Sequence, residues 1–283
     1  MRVITSPLEM QHHALALRAA GRTIGLVPTM GYLHEGHASL ARIARPRCDE
    51  VVLSIFVNPT QFGPGEDLDK YPRDFARDEA ICREAGVDTI FFPSAPDMYP
   101  AGYSVFLEEH ALSAGLCGVS RPNHFRGVLT VVAKLFNLCL PHLAVFGEKD
   151  AQQLRVIRQM TRDLNLPLEI VPGPIVREAD GLAMSSRNKY LTPDERRDAV
   201  LLRQALDLAE MLAAGGVTEA AEILRSVRDH IESSPHARID YAVMVDDEML
   251  TPVETLRAPA LLALAVHFGK ARLLDNTVLR PES

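Results

Sequence analysis

Through the first two thirds of this 283-residue chain, short apolar runs alternate with longer helical patterns. The runs fall at residues 23–28, 51–57, 89–92, 143–146 and 168–171, with helical patterns at residues 38–45, 73–85, 127–139 and 152–165 between them. Each run is too continuously apolar for a sheet with one wet face, and the spacing is strand, helix, strand. That combination predicts an α/β fold with a doubly wound, Rossmann-like parallel sheet. Ligands of such sheets bind beyond the carboxyl ends of the strands. His34, Asn58, Gln61 and Lys149 each follow a run directly, so they are expected on one side of one sheet.

The pattern changes after Pro172-Gly173-Pro174. Thr192-Pro193-Asp194-Glu195 reads as an N-cap with proline and acids in the first turn, opening a helix to about residue 214. Gly215-Gly216 ends it, a second helix is expected at residues 217–233, and strands at 238–245, 260–268 and 271–274. Helices followed by strands predict a smaller α+β domain. The chain is also long for one core, so the expected division is residues 1–176 and 177–283.

Net charge is −7 and no block of like charge stands out, which argues against nucleic acid as a partner, since phosphate-backbone binding needs a clustered basic face. No apolar segment of signal-peptide length follows Met1, and the most apolar stretch, residues 259–268, is too short to span a bilayer. A cytoplasmic protein without membrane contact is expected. Cys48, Cys82, Cys117 and Cys139 are widely spaced with no Cys-x-x-Cys, which suits reduced, buried thiols.

Between the first run and the first helix stand Pro28-Thr29-Met30-Gly31-Tyr32-Leu33-His34-Glu35-Gly36-His37. At a strand, glycine loop and helix start, free backbone N–H groups and the positive end of the helix dipole converge, which favours an anion such as phosphate. His34 and His37 share one face of the first turn. Two groups titrating near neutral pH beside a phosphate site make a candidate for phosphorus chemistry. Zinc is the weaker alternative, because the zinc-protease pattern needs a four-residue step between its histidines. A structural turn carrying two exposed histidines is the third reading.

The same ten residues resemble the His-x-Gly-His signature of the nucleotidylyltransferase superfamily, and the longer string resembles the pantoate–β-alanine ligases in particular. Four more blocks resemble that family in its own order: Phe56-Val57-Asn58-Pro59-Thr60-Gln61-Phe62, His124-Phe125-Arg126-Gly127-Val128, Phe146-Gly147-Glu148-Lys149-Asp150 with Gln152-Gln153, and Met184-Ser185-Ser186-Arg187-Asn188. The resemblance implies ATP-dependent joining of pantoate to β-alanine through a pantoyl adenylate, with Mg²⁺ accompanying ATP, in a cytoplasmic homodimer. It also implies that the first domain binds ATP and pantoate and that the second acts as a lid.

Residue roles follow from that implied chemistry. Adenylation passes through states with extra negative charge, so fixed positive charge and donors are required. His34 and His37 are expected on phosphate oxygens of ATP, with His37 also a proton donor. Gly147 permits close backbone approach, with Glu148 beside it, Lys149 offers charge to phosphate, and Asp150 is either a ribose acceptor or merely an N-cap. Met184-Ser185-Ser186-Arg187 resembles the family's mobile loop that closes over the triphosphate, and Val176 is implied to meet adenine through its backbone. The resemblance puts Gln61 and Gln153 in the pantoate pocket, Gln61 also near β-alanine, with Asn58 and Gln152 assisting. For Gln152 an exposed helix face is an equal reading. Arg121 and Arg126 are read either as anion holders or as surface ion pairs. Asp78 is read either as a protein contact of the metal or, inside a helical pattern, as part of a solvated face, the commoner case, and no protein ligand of the metal is assigned. A nucleotidylyltransferase acting on a phosphorylated acceptor and a non-catalytic nucleotide-binding module are the competing functions. Amides at Gln61 and Gln153 speak against the first, which would want cations there.

Overall fold

The computed structural model describes residues 1–281, which divide into two compact units. The first comprises Met1–Glu148 and Gln153–Pro174. Along it run β1 (Arg2–Ile4), α1 (Pro7–Ala19), β2 (Ile24–Thr29), α2 (Glu35–Ala44), β3 (Glu50–Ile55), α3 (Phe75–Glu84), β4 (Thr89–Phe91), the single turns α4 (Ala95–Met98) and α5 (Cys117–Ser120), α6 (His124–Cys139), β5 (Leu143–Gly147), α7 (Ala151–Asp163) and β6 (Glu169–Gly173). The six strands form one parallel sheet in the order β1-β4-β3-β2-β5-β6. This is the doubly wound sheet expected, and every strand anticipated in this unit lies within two residues of its expected ends.

Besides the single turns α4 and α5, β1 and α1 were not anticipated. β1 is too short to show a pattern, and α1 buries only Met10, Ala14 and Leu17 while leaving Leu8 and Leu15 in solvent, which blurs its amphipathic stripe. The core on the α2 and α3 side of the sheet gathers Val27, Leu33, Ala41, Leu53, Cys82, Ile90 and Val145. All four cysteines are free thiols, and Cys82, Cys117 and Cys139 are buried.

The second unit comprises Lys149–Gln152 and the chain from Ile175 onward. It carries α8 (Pro193–Asp198), α9 (Leu201–Ala214), α10 (Ala220–Glu232) and an antiparallel sheet of β7 (Ala237–Asp246), β8 (Ala260–Phe268) and β9 (Ala271–Leu279), in that order. The helix expected over 192–214 is two helices. Thr192 and Glu195 form the capping box of α8, which stops where Asp198 is held by Ser234 (2.5 Å) and His236 (2.7 Å). The next helix starts at Ala220, not 217, because Thr218 O accepts from Leu256 N and Ala220 N donates to Glu254 O. β9 runs five residues beyond the expected end, through Asp275 and Asn276. Among the described residues no helix is long and apolar enough to cross a membrane.

Candidate active site

The strand order of the first unit reverses between β2 and β5, so the ends of these strands, Thr29 and Gly147, border the crevice where a doubly wound sheet takes its ligand. Pro28 has no N–H to give. β2 pairs with β5 only at Gly25 and Leu26, whereas its pairing with β3 continues to Thr29. The ladder between the two strands thus stops short of their carboxyl ends.

Past β2 the chain turns sharply. Thr29 Oγ1 donates to Ser54 O (2.7 Å) and accepts from Gly31 N (3.2 Å). Gly31 lies at φ +84°, and a Cβ there would stand 2.8 Å from Ile55 Cγ2 and 3.0 Å from Asp78 Oδ2, so only glycine fits. Tyr32 follows at φ 51°, a conformation that costs a non-glycine residue strain energy. Asp78 holds it there. Its Oδ2 accepts from Tyr32 N at 2.8 Å and its Oδ1 from Leu33 N at 2.6 Å, and Leu33 is itself buried in the core. Burial pushes the Asp78 carboxyl above the usual range, and the two N–H donors pull the other way. The reading of Asp78 as a solvated charge is therefore corrected: Asp78 and Cys82, one turn apart, are the buried residues of α3.

Two imidazoles then cap α2. His34 Nδ1 accepts from Gly36 N (3.2 Å), and His37 Nδ1 accepts from His34 N (3.3 Å), with ring centroids 4.0 Å apart. This is a capping box built from histidines. Because each Nδ1 accepts a backbone N–H, the neutral ring carries its proton on Nε2, so both rings are Nε2–H donors at a helix N-terminus. Glu35 is exposed and pairs with Arg42.

Gln61 ends the short turn Pro59–Gln61 and is fixed from three sides. Its Oε1 accepts from Asn58 Nδ2 (3.1 Å), its Nε2 faces Met30 Sδ (3.1 Å), and its carbonyl accepts from His124 Nδ1 (2.9 Å). Asn58 acts one step behind it. Buried to 1% exposure, it also donates to Gly127 O and accepts at Oδ1 from Thr60 N, Thr60 Oγ1 and Tyr99 OH. Burial pushes the Tyr99 phenol up to about 12, which keeps it a donor. Gly127 lets α6 come close, since a Cβ there would lie 2.4 Å from Thr60 O. Arg121 grips Glu66 with two bonds (2.8 and 2.6 Å) and donates to His124 Nε2, which leaves the His124 proton on Nδ1. Arg126 meets Glu108 and stacks over Phe106. Both arginines therefore have carboxylate partners within the protein.

Apart from its own chain neighbours, nothing among the described residues lies within 4 Å of a Cβ built on Gly147, so packing does not demand glycine there, and the backbone is open to a close neighbour. Gln153 on α7 is half-buried, and Gln152, for which an exposed face was an equal reading, is buried at 4% exposure.

In the second unit Lys149 Nζ lies 3.4 Å from Asp150 Oδ1. Val176 O accepts from Met184 N, Glu178 N donates to Leu182 O, and Gly181 at φ +94° closes a hairpin over 176–184. Ser185 Oγ then caps a 3-10 turn, Ser186–Tyr190, by accepting from Arg187 N (3.2 Å). The expected loop Met184-Ser185-Ser186-Arg187 thus runs from the end of a hairpin into a capped turn. Asn188 ties the two together through Glu178 (2.7 Å) and Ala183 O (3.1 Å). Among the described residues no group of three or more His, Cys, Asp or Glu side chains is placed to hold a metal ion.

A family model described as Pantoate-beta-alanine ligase matches residues 2–278. The chain is 56% identical over 279 residues to the pantothenate synthetase of Heliobacterium modesticaldum, covering 99% of each chain. It is 54% identical to that of Thermotoga neapolitana, covering 99% of this chain and all of the other. Its structure resembles the crystal structure of pantothenate synthetase from Thermus thermophilus, with TM-score 0.93, 46% identity and coverage of 99% and 100%. It also resembles a pantoate-beta-alanine ligase from Francisella tularensis solved with beta-gamma ATP and beta-alanine, with TM-score 0.81, 33% identity and coverage of 98% and 97%.

Proposed function

The chain belongs to the pantoate–β-alanine ligase family and catalyses the ATP-dependent condensation of pantoate with β-alanine, and we propose how its residues divide that work. The pantoate carboxylate attacks the α-phosphorus of ATP, the bond to the bridging oxygen breaks, and pyrophosphate leaves. The β-alanine amine then attacks the acyl carbon of the pantoyl adenylate, loses a proton and expels AMP.

The observation that carries the assignment is the reciprocal cap of His34 and His37, which puts two Nε2–H donors at the N-terminus of α2 beyond β2. Donors fixed before the reaction lower the barrier by meeting charge that develops at the phosphate. His37 donates its Nε2–H to a phosphate oxygen as a hydrogen bond and keeps the proton, because its Nδ1 is taken by His34 N, so the expected proton-donor role is not assigned to it. Gly147 and Glu148 border the nucleotide, Lys149 neutralises phosphate, Asp150 steadies Lys149 and meets the ribose, and Val176 meets adenine. Met184, Ser185, Ser186 and Arg187 grip the departing pyrophosphate, while Gln61, fixed by Asn58, and Gln153 hold pantoate. Arg121 supports Gln61 through its carbonyl (3.3 Å) and through His124. A divalent cation enters with ATP as substrate. We assign Mg²⁺, seated mainly on phosphate oxygens, as suits a small hard cation. Family likeness supports a cytoplasmic homodimer, which sedimentation of the purified chain would test.

Pantoate-dependent exchange of labelled pyrophosphate into ATP tests the reading. Exchange without pantoate, or none with it, overturns the adenylate route.

A further inference from the structure

β9 breaks its own alternation at Asp275 and Asn276. Adjacent strand residues point to opposite faces, yet both are buried, at 1% and 9% exposure, and both are polar. Buried polar groups cost stability unless they are bonded, so what they hold is informative. Asp275 takes Arg177 in a two-bond grip at 2.7 and 2.9 Å, and the same guanidinium donates to Gly181 O (3.0 Å). Arg177 adjoins Val176 in the 176–184 hairpin, so Asp275 fixes both the stem and the turn of that hairpin. Asn276 Nδ2 donates to the carbonyl of Lys149 at 3.0 Å, across 127 residues of sequence. Asn276 N donates to Asp275 Oδ1 at 2.8 Å, which links the two grips.

We propose that Asp275 and Asn276 are positioning residues for adenylation, with Asn276 fixing the backbone that carries Lys149 and Asp275 fixing the hairpin that carries Val176. The proposal rests on the reading that Lys149 meets phosphate and Val176 meets adenine. The division of the chain agrees with it: Lys149–Gln152 group with the second unit, although Glu148 and Gln153 belong to the first. A lysine stem has four rotatable carbons, so the charge can be placed reproducibly only if its backbone is held. The Asn276 bond is the tether that does so from β9.

The test is a double-mutant cycle in the full chain, comparing wild type, Asn276→Asp, Lys149→Ala and the double variant. Asn276→Asp keeps the shape and removes the N–H donor. ATP with Mg²⁺ is titrated by calorimetry, and pantoate-dependent pyrophosphate exchange is measured beside it. Asn276→Asp should lower ATP affinity and exchange about tenfold in the wild-type background and less than about twofold in the Lys149→Ala background. Attack of β-alanine on preformed pantoyl adenylate should stay near the wild-type rate. Asn276→Ser, which keeps a donor on a shorter stem, should recover part of the loss and serves if the Asp variant folds poorly. Equal losses in both backgrounds, or none, overturn the positioning role while leaving Lys149 its own. Lys149→Ala binding ATP and exchanging like wild type overturns the Lys149 assignment itself, and this inference with it.

Discussion

Asp78 accepts from two successive backbone N–H groups, and an amide in its place can accept only one of them while turning a donor toward the other. Leaving a buried donor unmade costs about 1–3 kcal/mol, and here the cost falls on the turn that aims His34 and His37. Asp78→Asn should therefore lower pyrophosphate exchange at least tenfold while the chain stays folded, a split that circular dichroism and exchange measured together would reveal. The pH dependence has a definite sign. Burial raises the Asp78 carboxyl above its ordinary 3.8, so the folded state holds this proton more tightly than the unfolded one. That contribution to stability is present below 3.8 and is lost as pH rises through the folded value. In denaturant titrations the wild type should lose stability relative to Asp78→Asn over that rise. His37→Ala should slow pyrophosphate release in a single turnover far more than it weakens ATP binding, because its donor matters most to charge that appears in the transition state. An unchanged release rate would remove His37 from the chemistry.

The hairpin over 176–184 and the 3-10 turn after it are joined into one piece. The hairpin stem is bonded through Arg177 and Asn188, and Arg196 reaches Glu178 (2.6 Å) and Asp180 (2.7 Å). The turn is capped by Ser185, bonded back to the hairpin by Asn188, and packed through Tyr190 against the core of the second unit. If residues 184–187 grip the triphosphate, amide exchange at 185–190 should slow on adding ATP with Mg²⁺. Arg187→Ala should reduce adenylate formation and spare the attack of β-alanine, since pyrophosphate has gone by then. Equal damage to both half-reactions would make the turn a structural prop. This element also shows where reading residues alone stops. The parallel strands were legible because buried runs are continuous, and the His-x-Gly-His loop because its sequence sits between a strand and a helix. The hairpin was not legible because its strength comes from Arg177, Asn188 and Arg196, whose partners local pattern does not reveal. Asp78 was misread because one buried carboxylate does not disturb a helical pattern of charges. Asp275 and Asn276 looked like the end of a strand because both types are rare inside sheets, and only their long-range partners explain them.

Each unit has a core of its own. That of the second packs Leu202, Leu206, Ile223, Val227, Leu262, Leu264 and Phe268, all at 1% exposure or less. Truncating Leu262 to alanine should cost about 2–5 kcal/mol, the range for a buried leucine that leaves a cavity. Differential scanning calorimetry should show one transition falling in temperature with a second little changed, as expected where cores unfold separately. A single transition falling as a whole would show that the cores unfold together. The path of the chain adds a consequence for heredity. It leaves the first unit after Glu148, returns at Gln153 and leaves again after Pro174. A gene spliced between two relatives at residue 175 would thus give the chimera a Lys149 segment from one parent and Asp275 and Asn276 from the other. Recombination can exchange this second unit intact only with two junction sets, one around 149–152 and one at 175, so these parts are expected to be inherited together.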